Sequence, residues 1–230
     1  MKTPGLRYFG AALVVLLGIW LGFKFHAAHS VQEAGVAVPA GIAGPPDSND
    51  PAQLETAPPQ VAIPERLPQF SLKDLTGKQT PVSSWSGKSL MINFWATWCA
   101  PCRREIPLLK TLAADWAGRD LTIVGIAVDY PDKVRAFAGE FKIDYPLLVG
   151  EQDAMDVAAR FGMTSPGFPF TVFTDNRGEV VALFLGELHR PQAELILSEV
   201  RSLNEDRTQL AQARQAIAEG LERIAAKHSG

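Results

Sequence analysis

The chain has 230 residues, 47% of them hydrophobic and 20% charged, which is enough apolar material for a normal core in one or two domains. Its net charge of −3 carries no basic excess, so nucleic acid is excluded as an expected partner. The two cysteines and the scattered His26, His29, His189 and His228 do not supply the four close ligands of a structural zinc site, and no metal or cofactor is expected.

In chain order, Lys2 and Arg7 precede an uncharged run from Tyr8 to Phe23. As a helix this run spans about 24 Å, and Tyr8, Lys24 and Phe25 extend it toward a roughly 30 Å hydrocarbon core. A secretory signal peptide shares the basic start and apolar centre, but His26-Ala27-Ala28-His29 matches its small-residue cleavage site poorly. Residues 1–26 are therefore expected to be an uncleaved transmembrane signal-anchor. Between Lys24 and Arg66 there is no Lys or Arg, so the charge asymmetry keeps the amino terminus cytoplasmic and exports the rest. Residues 27–63 are rich in Ala, Gly and Pro and read as a disordered tether on the order of 30–40 Å long.

From residue 64 the pattern becomes periodic. A short strand pair is expected around Phe70 and Pro81-Val82, joined by the turn Asp74–Lys78. The strand Leu90–Trp95 leads into a helix from about Pro101 to Trp116, and Leu121–Val128 reads as a buried strand. A helix from about Pro131 to Phe141 and a segment around Asp153–Phe161 follow. Strands at Phe170–Phe173 and Val180–Leu185 and a helix near Pro191–Leu203 complete a domain at 64–203, an α/β arrangement by its alternation. Over residues 204–230, Leu210, Ile217 and Ile224 continue a seven-residue interval from Leu203, with Leu221 on the same face. This predicts an amphipathic helical extension that packs on its own domain or lies solvated, in preference to pairing with another chain, because Gly220 weakens the stripe.

The chemistry concentrates where strand meets helix, at Thr97-Trp98-Cys99-Ala100-Pro101-Cys102, which holds both cysteines of the chain. Unpaired amides and the macrodipole at a helix start favour an anion, so Cys99 should ionise below the roughly 8.5 of a free thiol. Cys102 falls about one turn into the helix and faces the body of the domain, which makes Cys99 the attacking and Cys102 the resolving thiol. Pro101 suits a first turn that does not need its N–H. A purely structural disulfide closing so short a loop would stabilise little. Glu105 is open to two readings: an acid placed by the macrodipole, or a proton acceptor for Cys102, a role made more pressing by the uncharged Asn93 on the strand. Trp95 is expected in the core and Trp98 on a contact surface beside Cys99.

The string Phe94-Trp95-Ala96-Thr97-Trp98-Cys99-Ala100-Pro101-Cys102, with Pro107 later in the helix, resembles the active site of thioredoxin-fold oxidoreductases. With Asn93 in place of the aspartate of thioredoxins proper, it is similar to the TlpA/ResA/CcmG group of membrane-anchored bacterial thiol-disulfide oxidoreductases, and the likeness covers most of residues 64–203. It implies a thioredoxin-like fold with an N-terminal β-hairpin and a central insertion, preceded by one transmembrane helix and a disordered linker. It also implies that Glu105 lies beside the redox-active Cys99–Cys102 pair. By the same resemblance, Gly167-Phe168-Pro169-Phe170 is a cis-proline loop facing the dithiol, so that Trp98, Phe168 and Pro169 bind substrate, and Asp175-Asn176-Arg177-Gly178 is the hairpin turn after it. The function implied is a periplasmic reductase of disulfides in exported proteins, in apocytochrome c maturation or copper and cytochrome oxidase assembly. Its electrons would come from a DsbD- or CcdA-like membrane protein. Two rivals are a peroxiredoxin-like peroxidase, whose fold is related but which usually has threonine where Cys99 stands, and a Cu(I) carrier, since soft thiolates bind that ion.

Overall fold

A computed structural model describes residues 63–163 and 167–228. The expected signal-anchor at 1–26 and all but the last residue of the expected tether at 27–63 lie outside the described residues. Among the described residues no helix is long and apolar enough to cross a membrane.

The elements follow the chain as β1 (Ser71–Asp74), β2 (Gln79–Pro81), a short 3-10 helix (Val82–Trp85), β3 (Ser89–Trp95), α1 (Ala100–Asp115), β4 (Leu121–Val128), α2 (Pro131–Phe141), β5 (Leu147–Gly150), α3 (Gln152–Arg160), β6 (Phe170–Thr174), β7 (Val180–Leu185), α4 (Arg190–Asn204) and α5 (Leu210–His228). The strands form one mixed sheet in the order β2-β1-β5-β4-β3-β6-β7. Strand β3 lies inside the sheet, parallel to β4 and antiparallel to β6, and all seven of its residues are buried.

The two-residue period of β3 divides the core. Leu90, Ile92 and Phe94 face one apolar cluster with Phe161 and Val157 of the α3 side, whereas Met91 and Trp95 face the other, with Ile106 and Leu109 of α1 and Ile196 and Val200 of α4. Asn93 shares the second face by the same alternation, which is why a polar side chain on a buried strand comes up against α1.

One strand escapes the sequence pattern. β5 lies in the expected central insertion between two helices, runs for only four residues, and is buried throughout, so it offers neither alternation nor length to read. It pairs parallel to β4 and antiparallel to β1, and so ties the N-terminal hairpin to the sheet. Both expected hairpin turns are present. Asp74 accepts from the amides of Thr76 and Lys78 in the first, and Asp175 accepts from those of Arg177 and Glu179 in the second.

The C-terminal extension packs on its own domain. Ala213 and Ile217 of α5 are buried in the same core as α4, and Arg214 donates to the Val180 carbonyl at 2.5 Å. Gly220 permits close approach to α4, since a Cβ there would lie 2.5 Å from Leu195 Cδ2. Gly220→Leu should therefore lower the unfolding free energy by about 1–3 kcal/mol through overpacking, measured by urea denaturation. An unchanged or raised stability would mean that the Leu195 side chain gives way and the close approach at Gly220 constrains nothing.

Candidate active site

Strand β3 ends at Trp95, and the chain turns through Ala96, Thr97 and Trp98 into α1 with Cys99 as the N-cap residue. The turn is pinned from β4. The buried carboxylate of Asp129, just past the end of that strand, accepts from both the hydroxyl and the amide of Thr97 and from the Tyr130 amide at 2.8 Å. Cys99 and Cys102 are joined as a disulfide. The Cys102 amide is directed at Cys99 Sγ at 3.3 Å, so a donor is already placed where negative charge would form on reduction.

The two cysteines differ little in exposure. Cys99 is 5% exposed and Cys102 0%, so a partner reaches only an edge of Cys99 in the oxidised form. The order between them is as expected. Trp95 lies in the core, while Trp98 is 65% exposed.

One turn beyond Cys102 on the inner face of α1, Glu105 is almost wholly buried. Each of its oxygens has a donor: Asn93 Nδ2 reaches Oε1 at 2.8 Å, and the Leu188 amide reaches Oε2 at 3.0 Å. Asn93 is oriented in turn by Thr171 of β6, whose hydroxyl lies 3.1 Å from the same nitrogen. Burial raises the Glu105 pKa to about 7, against the opposing effect of the Leu188 and Asn93 hydrogen bonds, and the nearby charge of Glu187 pushes it the same way as burial. A carboxyl that titrates near neutrality can both hold and release a proton there.

The Phe168–Pro169 peptide is cis, as the resemblance implies. Pro169 itself is buried, and the Phe168 ring lies 6.2 Å from the Trp98 ring in an edge-on arrangement, which brings the loop to the neighbour of Cys99. Leu185, paired across the sheet with Phe170, is also exposed. A cavity of about 510 Å³ lined by Trp116, Arg201 and Asn204 opens beside Ser89, at the opposite end of β3 from the dithiol, and has no part in this arrangement.

Sequence reasoning finds Cys99, Cys102, Glu105, Trp98, Phe168 and Pro169, and the structure gathers them at one end of the sheet. It misses Leu188, Thr171 and Asp129. Leu188 acts through a backbone amide 83 residues from Glu105, for which a side-chain pattern has no signal. The paired polar positions Asn93 and Thr171, each inside an apolar strand, were the one available hint.

A model of the AhpC/TSA family matches residues 63–185 of the chain. The chain belongs to the AhpC/TSA family. This AhpC/TSA protein is 31% identical over 134 residues to the thioredoxin-like protein YneN of Bacillus subtilis, a match covering 56% of this chain and 75% of that one. It is 31% identical over 142 residues to the thiol-disulfide oxidoreductase ResA of Geobacillus kaustophilus, covering 61% and 79%. Among solved structures it resembles a secreted thiol-disulfide isomerase from Corynebacterium glutamicum, with a TM-score of 0.50, 25% identity, and coverage of 66% of this chain and 85% of that one. The AhpC/TSA protein has a thioredoxin-like α/β fold and is a thiol-disulfide oxidoreductase.

The raised Glu105 pKa links stability to pH. The folded protein holds this proton up to about pH 7, whereas the unfolded chain releases it near 4.3. The contribution is thus fully present below about pH 4.3 and is lost as pH rises through 7, a change on the order of 3 kcal/mol. Glu105→Gln should remove this slope and make the oxidised protein more stable than the native one at pH 8. Asn93 can turn its amide to meet the new NH2, with the Thr171 hydroxyl as its donor. Urea denaturation from pH 4.5 to 8 checks this, and parallel curves for the two proteins would contradict it.

Proposed function

We propose that the protein is an exported, membrane-tethered reductase of disulfides in other exported proteins. The observation that carries the reading is the asymmetry of the dithiol: Cys99 caps the helix with an amide on its sulfur, and Cys102 is fully buried one turn before a buried acid. In the reduced protein the Cys99 thiolate attacks one sulfur of a substrate disulfide, forming a mixed disulfide and releasing the other substrate sulfur as a thiolate. Cys102 then gives its proton to the Glu105 carboxylate and attacks Cys99 Sγ. This releases the second substrate thiolate and leaves the Cys99–Cys102 disulfide. Two electrons from a donor dithiol regenerate the starting state, and a DsbD- or CcdA-like membrane protein fits that part.

Glu105 supports the reducing direction. A carboxylate close to the dithiol disfavours the thiolate by like-charge repulsion and leaves the uncharged disulfide unaffected, so the reduced form is the less stable one and gives up electrons more readily. The exposed Trp98 and the half-buried Phe168, with Pro169 between Phe168 and β6, form the surface on which a substrate segment docks. Apocytochrome c and copper or cytochrome oxidase assembly proteins are substrates of the right chemistry, since each offers a cysteine pair. The uncharged Tyr8–Phe23 run, flanked by Lys2 and Arg7, supports a bacterial inner-membrane anchor with the catalytic domain on the periplasmic or outer face.

The test uses the two serine variants. Cys99→Ser should abolish disulfide exchange. Cys102→Ser should accumulate mixed disulfides through Cys99, because attack survives and resolution does not; these run as adducts on non-reducing gels and identify the substrate by mass. Adducts through Cys102 in the Cys99→Ser variant would reverse the roles. Peroxide consumption with turnover, or stoichiometric Cu(I) binding without catalytic exchange, would favour the peroxidase or the carrier instead.

A further inference from the structure

The turn from β7 into α4 touches the site at two points. Gly186 donates its amide to the Pro169 carbonyl at 2.8 Å, and Leu188, whose side chain is buried, donates its amide to Glu105. Between them stands Glu187, mostly shielded from solvent. Its carboxylate is held from α1 by Arg104, the residue immediately before Glu105: Arg104 Nε lies 2.8 Å and Nη2 2.5 Å from the same oxygen, Oε2.

We propose that Arg104 is a positioning residue, whose two-nitrogen hold on Glu187 fixes this turn so that the Leu188 amide stays on Glu105. The proposal rests on the reading of Glu105 as the proton acceptor of Cys102. As an ion pair with an exposed arginine, the contact contributes little to folding stability. Its effect lies in geometry and in local charge. Arg104 compensates the Glu187 carboxylate, the charged group that disfavours ionisation of Glu105, and anchors the turn that supplies the Leu188 amide to it.

The groups around Glu105 set the sign of the effect. From β3 it meets the uncharged Asn93, and from the turn the Leu188 amide and the charge of Glu187. Tyr145, before β5, is within electrostatic reach and is itself held neutral by burial. On α1 the neighbours are Cys102, a turn earlier, and Arg104. At the head of α4, His189 and Arg190 are exposed, and Arg190 pairs with Asp115 and Glu194. Loss of Arg104 leaves the Glu187 charge uncompensated and frees the turn to withdraw its amide. Both changes disfavour the carboxylate.

The experiment follows the Glu105 carboxyl carbon by 13C NMR as the oxidised protein is titrated. It is paired with the pH dependence of disulfide exchange in native, Arg104→Ala, Arg104→Lys, Glu105→Gln and doubly substituted chains. Arg104→Ala should raise the carboxyl midpoint by about half a unit to one unit and move the exchange profile with it. Arg104→Lys, which keeps the charge but not the two-nitrogen hold, should leave the midpoint between those of the native and Arg104→Ala chains. In the Glu105→Gln background, Arg104→Ala should leave the exchange profile where Glu105→Gln alone puts it. An unmoved or lowered midpoint in Arg104→Ala would overturn the proposal, whatever happens to stability. Failure of the Glu105 reading would show separately, as a Glu105→Gln profile lying on the native one.

Discussion

Taking a carboxyl group out of water disfavours its charge, and the site is organised around one instance of this at Glu105. The side chain cannot be paired off by a cation, because the atoms that meet it are the Asn93 amide and the Leu188 amide. Neutral donors lower its pKa only partly, so burial prevails and the group settles near neutrality. A salt bridge in the same place would have fixed the carboxylate as permanently charged, and a purely apolar pocket would have kept it protonated. The balance between these limits leaves a carboxyl that can hold or release a proton near neutral pH.

The fold maintains that balance from four directions. β3 supplies Asn93 on the face toward α1, β6 supplies Thr171 to orient it, α1 carries Glu105 and both cysteines, and the turn after β7 supplies the Leu188 amide. Because β3 is paired to β4 on one side and β6 on the other, a one-residue slip in either register would move Asn93 or Thr171 to the wrong face. The same turn binds the Pro169 carbonyl through Gly186, so the cis-proline loop and the buried acid share one support.

Much of this was legible in the residues. The dithiol at the strand-to-helix corner follows from the apolar run of β3, Pro101 and the cysteine spacing, and the helix and strand boundaries from Pro131, the Asp175–Gly178 turn and the amphipathic periods. β5 was not legible, since four buried residues carry no period and its place in the sheet is set by neighbours far along the chain. The surroundings of Glu105 were not legible either: a residue three positions after Cys102 faces inward whether it is a helix-start acid or a proton acceptor, and one of the donors on its oxygens comes from Leu188, 83 residues away. The burial of Cys99 was not legible either, because helix geometry places the residue at the corner but says nothing of the surfaces that close over it.

The central claim is that the Glu105 carboxyl changes protonation near neutral pH inside the folded, oxidised protein. The direct measurement is a 13C NMR titration of its side-chain carboxyl in the native chain, with the signal assigned by its loss in Glu105→Gln. The account predicts a single midpoint at about 7; a midpoint below 5, in the range of an ordinary exposed glutamate, would contradict it.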